Sequence, residues 1–167
     1  RLTDVTGVQT CALPISTVNR VTLLQPPRMV LGNGCAPQCA EYLAQRGLRR
    51  VLLVSSTPVL PTLGAVGQAL KKADVAAVNA APVDCEPTCA LFEQMLAASR
   101  RENIEAVLGI GGGSALDVAK LLAALTRGTQ TVTEVFGIDL LAGRALPLVC
   151  LPRSEERRVG KECRSRW

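Results

Sequence analysis

The chain has 167 residues, of which 48% are hydrophobic and 20% are charged. This length suits one domain, and this much apolar material excludes wholesale disorder. No apolar run approaches the roughly 18 residues that a membrane-spanning helix needs, so we expect no membrane partner. The sequence contains no His, which removes the commonest catalytic base and the commonest transition-metal ligand from consideration.

The net charge of +5 does not indicate a nucleic-acid partner, because of where the charges lie. Residues 153–167 hold six basic and three acidic side chains, a net of +3, whereas residues 17–152 hold twelve and ten, a net of +2. A basic patch on the body is therefore not supported. The seven Cys are an odd number, and with no secretory leader in the sequence we expect free thiols and a cytoplasmic protein.

Apolar patterns of strand and helix alternate from residue 28 onward. Strands are predicted over Arg28–Leu31, Val51–Val54, Val75–Asn79, Ala106–Ile110, Thr131–Phe136 and Leu146–Leu151. Helices are predicted over Pro37–Arg46, Thr62–Ala73, Glu86–Arg101 and Ala115–Thr126. Strands separated by helical segments of about a dozen residues imply βαβ units. The predicted fold class is therefore α/β, a Rossmann-like domain with a mostly parallel sheet.

The strongest chemical signal is the stretch EAVLGIGGGSALDVAK at 105–120, in which a strand runs through glycines into a helix. Its glycines are Gly109, Gly111, Gly112 and Gly113. Glycine admits positive φ and leaves no Cβ between backbone N–H groups and a ligand. The start of a helix adds unpaired N–H groups. Ser114 is predicted to cap the helix, with Asp117 three residues on in a capping-box arrangement. The pattern favours an anion or nucleotide site over a merely tight connection.

The segment GIGGGSALDVAK at 109–120 resembles the GGGSxxDxAK signature of the iron-containing (group III) alcohol dehydrogenases. The similarity covers most of residues 28–152. Residues 28–34 are similar to the family's opening strand and glycine turn, 48–64 to its first nucleotide-domain strand and helix, and 146–152 to the strand before a Thr- and Gly-rich segment that is missing here. Glycerol dehydrogenase and dehydroquinate synthase relatives share a similar loop, but Ser114 and the Ala119-Lys120 pair favour the alcohol dehydrogenase branch.

The resemblance implies the cofactor-binding part of an NAD(P)-dependent, metal-dependent alcohol dehydrogenase that acts on small alcohols and aldehydes. It places Gly111, Gly112, Gly113 and Ser114 around the pyrophosphate of the dinucleotide, and Asp117 near the cofactor. Many members bind the adenosine ribose with an Asp after the first strand, and Ser56 stands at that position here. A carboxylate would repel the 2′-phosphate of NADP and Ser would not. The choice between NAD and NADP stays open, with a tilt toward tolerance of NADP.

The resemblance also implies that the family's C-terminal all-helical domain, which carries one Asp and three His as metal ligands, is absent from this chain. We therefore expect iron or zinc to bind the complete protein and not these residues, and no catalytic residue is assigned here. The fragment alone is expected to be inactive, and the complete protein to be a homo-oligomer. The alternative from a different class is a stand-alone nucleotide- or anion-binding module without catalysis.

The two ends of the chain resemble translated sequencing adapters, most clearly in VTGVQTCALPI at 5–15 and RSEERRVGKECRSRW at 153–167. We therefore expect residues 1–16 and 153–167 not to belong to the domain. The authentic part would then be a truncated dinucleotide-binding domain over residues 17–152.

Two C-x3-C pairs, Cys35 with Cys39 and Cys85 with Cys89, have a spacing that zinc sites tolerate. Cys39, however, falls on the apolar face of a predicted helix, and free Cys is a common small core residue. We favour a core or incidental role for these cysteines over a metal site.

Overall fold

The structure is a computed structural model that describes residues 26–153. The predicted end segment 1–16 and all of 153–167 except Arg153 lie outside the described residues. Residues 26–31 form neither a helix nor a strand, and the side chains of Met29 and Leu31 are 64% and 90% exposed. The predicted strand Arg28–Leu31 is therefore wrong. A short apolar run is consistent with a strand but does not specify one.

Residues 32–153 alternate between helix and strand. In chain order the elements are α1 (Gln38–Gln45), β1 (Arg50–Ser55), α2 (Gly64–Lys72), β2 (Ala76–Asn79), α3 (Cys89–Arg101), β3 (Ala106–Gly111), α4 (Gly113–Leu125) and β4 (Leu148–Pro152). Short 3₁₀ helices lie at Leu60–Leu63 and Thr133–Val135. Within residues 26–153, no helix has the length and apolar character needed to cross a membrane.

The four strands form one parallel sheet in the order β2-β1-β3-β4. The two central strands are almost wholly buried, as expected for parallel strands that are covered on both faces. This confirms the α/β class and the parallel sheet. It also explains why the predicted strands at 51–54 and 106–110 are continuous apolar runs instead of alternating ones.

Helices cover both faces of the sheet. On one face, α1 and α2 bury Leu43 and Leu70 against Val51, Leu53 and Leu108. On the other face, residues of α3 and α4 pack on the opposite side chains of the same strands, and this cluster includes Leu96, Leu122, Leu52, Val54 and Val107. Consecutive strand residues thus alternate between two separate cores. Every one of the predicted helices is present to within a few residues.

The contact between α4 and the sheet depends on Gly109 of β3. A Cβ at Gly109 would lie 2.6 Å from the Cβ of Ala119 and 3.3 Å from Cδ2 of Leu116. Two carbon atoms that are not bonded cannot approach to 2.6 Å without a shift of the backbone. The missing side chain therefore allows α4 to lie directly on β3, with its first turn beside the end of that strand.

The predicted strand Thr131–Phe136 is wrong, because this stretch contains the 3₁₀ helix Thr133–Val135. The carboxylate of Glu134 accepts bonds from the backbone N–H of Thr131 at 2.6 Å and from its hydroxyl at 2.9 Å. Such local side-chain bonds compete with strand pairing. The N–H of Val132 donates to Glu93 of α3 instead of to a neighbouring strand.

At the amino edge of the sheet, Glu105 connects the start of β3 to the start of β1. One oxygen of its carboxylate accepts bonds from the backbone N–H groups of Arg49 at 2.5 Å and Arg50 at 3.0 Å. These two N–H groups, together with the positive charges of Arg127 and Arg49, lower the pKa of Glu105 below its ordinary value of 4.5. The start of β1 is thus fixed beside the start of β3 by a charged acceptor.

Replacing Gly109 with Ala should destabilise the fold by about 1–3 kcal/mol, the usual cost of overpacking a core. Urea unfolding followed by circular dichroism measures this loss. The matched control is Gly67→Ala in α2, where a Cβ meets nothing within 4 Å. The control should be neutral or stabilising by up to about 1 kcal/mol. Adding Ala119→Gly should recover part of the loss at Gly109, and strict additivity of the two changes would contradict the contact described.

Replacing Glu105 with Gln should lower the free energy of unfolding at neutral pH. Since the folded-state pKa of Glu105 lies below its unfolded value, its contribution is fully present above pH 4.5 and is lost as the pH falls through the folded-state pKa. The free energies of unfolding of the two proteins, measured at a series of pH values, should differ at pH 7 and converge in acid. A difference that is independent of pH would contradict the role of the charged acceptor.

Candidate functional site

The strand order creates a crevice between β1 and β3 at the carboxyl edge of the sheet. The chain passes from β1 to β2 on one side, and from β3 to β4 on the other. In open parallel sheets, ligands bind outside the carboxyl ends of the strands at the point where the chain direction diverges in this way. The loops that follow β1 and β3 are therefore the first place to look for a site.

Three loops meet at this edge. Residues 56–58 follow β1, residues 80–86 follow β2, and Gly112 follows β3. The segment after β2 continues alongside β1, since the N–H of Ala80 donates to Leu53 and the N–H of Val83 donates to Ser55, both at 2.9 Å. The loops border an open cavity of about 300 Å³. It is lined by Ser56, Pro58, Val83, Asp84, Cys85, Glu86, Gly112, Gly113, Ser114 and Ala115.

The glycine loop uses its glycines in different ways. Gly111 has φ +149°, a conformation that L side chains rarely adopt, so this position requires glycine. Gly112 has φ −80° and is extended, so the positive φ expected of the loop is at Gly111 and not at Gly112. At Gly113, a Cβ would meet nothing within 4 Å. Substitution at Gly113 therefore fills open space beside the cavity and does not strain the protein.

The first turn of α4 faces the cavity without a side-chain cap. The N-cap residue is Gly112, which makes no side-chain hydrogen bond. The predicted cap by Ser114 with Asp117 is wrong, because α4 begins two residues earlier than predicted and Ser114 lies inside its first turn. The first N–H groups of a helix have no partner within the helix, and they attract anions. The uncapped start of α4 is therefore suited to an anion.

Asp117 lies away from the cavity. Its carboxylate accepts a bond from the ammonium group of Lys120 at 2.8 Å, and both side chains are more than half exposed. Of the predicted cofactor residues, the structure brings together Ser56, Gly112, Gly113 and Ser114. Gly111 adjoins them, because a Cβ there would lie 3.9 Å from Oγ of Ser56. Gly111 and Asp117 are the two predicted residues that do not line this cavity.

Asp84 is part of the site but is not among the residues predicted from the sequence. Its Oδ1 accepts a bond from the backbone N–H of Thr57, and its Oδ2 accepts a bond from the Thr57 hydroxyl, both at 2.6 Å. These two bonds, the hydroxyl first, lower the pKa of Asp84, so the group is charged at neutral pH. The signal that could have found it is its place after β2, at the same edge as Ser56.

A second cavity, of about 240 Å³, lies along α3 and the edge strand β2. Its lining includes Leu52, Val78, Leu91, Met95 and Ala98 and is mostly apolar. No glycine loop lines it among the residues described, and the first turn of α3 beside it is already capped, because the N–H of Leu91 donates to the Thr88 hydroxyl. The cavity at the glycine loop is the better candidate for an anionic ligand, because it alone of the two combines backbone donors with the divergence of the strands.

The described residues do not fit a metal ion. Between residues 26 and 153, no group of three or more His, Cys, Asp or Glu side chains is placed to hold one. Cys39 is buried in the core, and burial raises the pKa of its thiol to about 11. Cys85 and Cys89 are exposed free cysteines. Cys150 of β4 is half-buried, and burial is the main cause of the raised pKa of its thiol.

The family model described as iron-containing alcohol dehydrogenase matches residues 26–153. The chain belongs to this family. Among curated relatives, alcohol dehydrogenase 4 of Saccharomyces cerevisiae is 29% identical over 129 residues, which is 75% of this chain and 34% of the relative. Long-chain-alcohol dehydrogenase 1 of Geobacillus thermodenitrificans is 29% identical over 133 residues, 76% of this chain and 33% of the relative. This member of the iron-containing alcohol dehydrogenase family therefore spans about a third of the length of these relatives.

Solved structures show the same fold. NADH-dependent butanol dehydrogenase A of Thermotoga maritima is similar with a TM-score of 0.70 and 27% identity, over 78% of this chain and 34% of that one. An alcohol dehydrogenase of Oenococcus oeni has a TM-score of 0.72 at 23% identity, over 80% of this chain and 36% of that one, which supports the fold alone. The predicted fold and family resemblance are thereby confirmed.

Proposed function

We propose that this chain is the dinucleotide-binding part of an NAD(P)-dependent alcohol dehydrogenase. The observation that carries the proposal is the cavity at the divergence of β1 and β3, where the uncapped start of α4 faces the loop after β1. The names of relatives agree with it, since one solved structure is an NADH-dependent butanol dehydrogenase and one curated relative is an NAD-dependent methanol dehydrogenase.

In this proposal, the backbone N–H groups of Gly113, Ser114 and Ala115 bind the pyrophosphate of the dinucleotide. Gly111 turns the chain from β3 into α4 so that these groups point to the ligand. Ser56, on the opposite side of the crevice, contacts the adenosine ribose. A dinucleotide bound in this way would supply hydride transfer to or from the alcohol or aldehyde substrate of the complete enzyme.

The polarisation of the alcohol oxygen belongs to parts of the complete enzyme outside this chain. Residues 26–153 hold no ligand set for the family's iron or zinc, so in this proposal the metal is held by residues outside that range. We therefore propose that the chain binds the cofactor but does not oxidise alcohols alone. The complete enzyme would act on a small alcohol or aldehyde as a homo-oligomer in the cytoplasm.

Replacing Gly113 with Val should abolish dinucleotide binding while the fold survives. The branched side chain would extend into open space beside the cavity and would separate the pyrophosphate from the N–H groups of the first turn. We expect the affinity for NAD to fall at least tenfold by isothermal titration calorimetry, with the melting temperature nearly unchanged.

The matched control is Gly64→Val. Gly64 is the first residue of α2, as Gly113 is of α4, and a Cβ there also meets nothing within 4 Å. The control should bind NAD as the unaltered chain does. Equal affinity of the Gly113 variant and the unaltered chain would refute the assignment of the pyrophosphate to this loop.

A further inference from the structure

The loop after β2 carries the carboxylate of Asp84, whereas the loop after β1 has Ser56 and no acidic residue in the lining of the same cavity. Ser56 occupies the position at which an acidic residue would select against a 2′-phosphate. The next residue, Thr57, binds both oxygens of Asp84 through its N–H and its hydroxyl. Ser56 and Asp84 line the same cavity. The carboxylate of Asp84, which follows β2, thus places a negative charge in the same cavity as Ser56, which follows β1.

We propose that Asp84 sets the cofactor preference of this site, so that it takes a dinucleotide with a free 2′-hydroxyl, NAD, and disfavours NADP. The inference rests on the proposed function, because it concerns the ribose next to the pyrophosphate bound by α4. It replaces the expectation of NADP tolerance, which considers Ser56 alone. Asp84 acts as a specificity-determining residue that faces the cofactor and not as a group in the chemical step.

The charges around the cavity support this preference. Asp84 and Glu86 both line it, and none of the lining residues within 26–153 is Lys or Arg. Sites that accept NADP hold the 2′-phosphate with a nearby cation, commonly Arg. A 2′-phosphate brought beside an anchored carboxylate would meet repulsion that no cation in the lining offsets. A 2′-hydroxyl carries no charge and can donate a hydrogen bond to the carboxylate.

Asp84 is a better determinant than Glu86 because its position is fixed. The two bonds to Thr57 leave its carboxylate one orientation, and both oxygens keep lone pairs for a further donor. No hydrogen bond fixes the carboxylate of Glu86 to any residue of the described chain, so this long side chain can turn away from a bound phosphate. The bonds from Thr57 also keep Asp84 charged, since they lower its pKa.

The test is Asp84→Asn, with NAD and NADP titrated into the full chain by calorimetry. The Asn side chain still accepts from the N–H of Thr57 but carries no charge. We expect the ratio of the dissociation constants of NADP and NAD to fall about fivefold or more, as for loss of a unit charge a few ångströms from the phosphate. The matched control Asp74→Asn makes the same change in net charge at a residue that does not line the cavity, and it should leave the ratio unchanged.

Two further measurements separate a charge effect from a structural one. The double variant Asp84→Asn with Ser56→Asp removes the carboxylate from the loop after β2 and places one in the loop after β1. The preference for NAD over NADP should then be regained. In the unaltered chain, raising the salt concentration should narrow the gap between the two affinities, because repulsion between exposed charges is screened. The gap in the Asp84→Asn variant should depend less on salt.

The outcomes distinguish this inference from the proposal on which it rests. Binding of neither dinucleotide by the unaltered chain refutes both. Binding that is lost in Gly113→Val, with a ratio that Asp84→Asn leaves unchanged, supports the pyrophosphate assignment and refutes the role of Asp84. A fall in the ratio that the double variant does not reverse assigns the effect to the loop's structure and also overturns the inference.

Discussion

The place of α4 on the sheet depends on the missing side chain at Gly109. A Cβ at this position would stand 2.6 Å from that of Ala119, so any other residue would push the helix away from β3. Because α4 starts two residues after β3 ends in this register, the same close contact holds its first turn at the carboxyl edge of the sheet. The glycine thus links core packing directly to the geometry of the candidate site.

Each loop at that edge supplies a different kind of group. The loop after β3 supplies backbone donors, because Gly112 starts α4 without a side-chain cap. The loop after β1 supplies the hydroxyls of Ser56 and Thr57, and the loop after β2 supplies the carboxylate of Asp84, which Thr57 holds. Donors for an anion and an acceptor for a hydroxyl therefore lie around one cavity, an arrangement that supports the proposed nucleotide site.

The sequence predicts most of the fold because its signals are local. Continuous apolar runs locate β1 and β3, and the glycines followed by an amphipathic segment locate α4. Two of the errors lie where another local arrangement replaces the predicted one. Glu134 turns the β-branched run after Thr131 into a 3₁₀ helix, and Gly112 takes the cap position expected of Ser114.

The sequence predicts only part of the candidate site, because some of its contacts join residues that are far apart in the chain. The glycine loop is contiguous, so its residues can be found from their order alone. The pairing of Asp84 with Thr57 joins residues 27 positions apart, and it exists because the segment after β2 continues beside β1. No local pattern contains that contact. Asp117, in turn, matches the signature by spacing, but its carboxylate binds Lys120, and both side chains are more than half exposed.

We propose that the first turn of α4 holds the pyrophosphate of a dinucleotide. The most direct measurement is a titration of the ¹⁵N-labelled chain with NAD, followed by the backbone amide signals. If the pyrophosphate binds there, the largest shifts occur at residues 112–115, with smaller ones at Ser56 and Asp84. Shifts confined to the residues of the cavity along α3, such as Leu91 and Met95, with the first turn of α4 unchanged, would contradict this proposal.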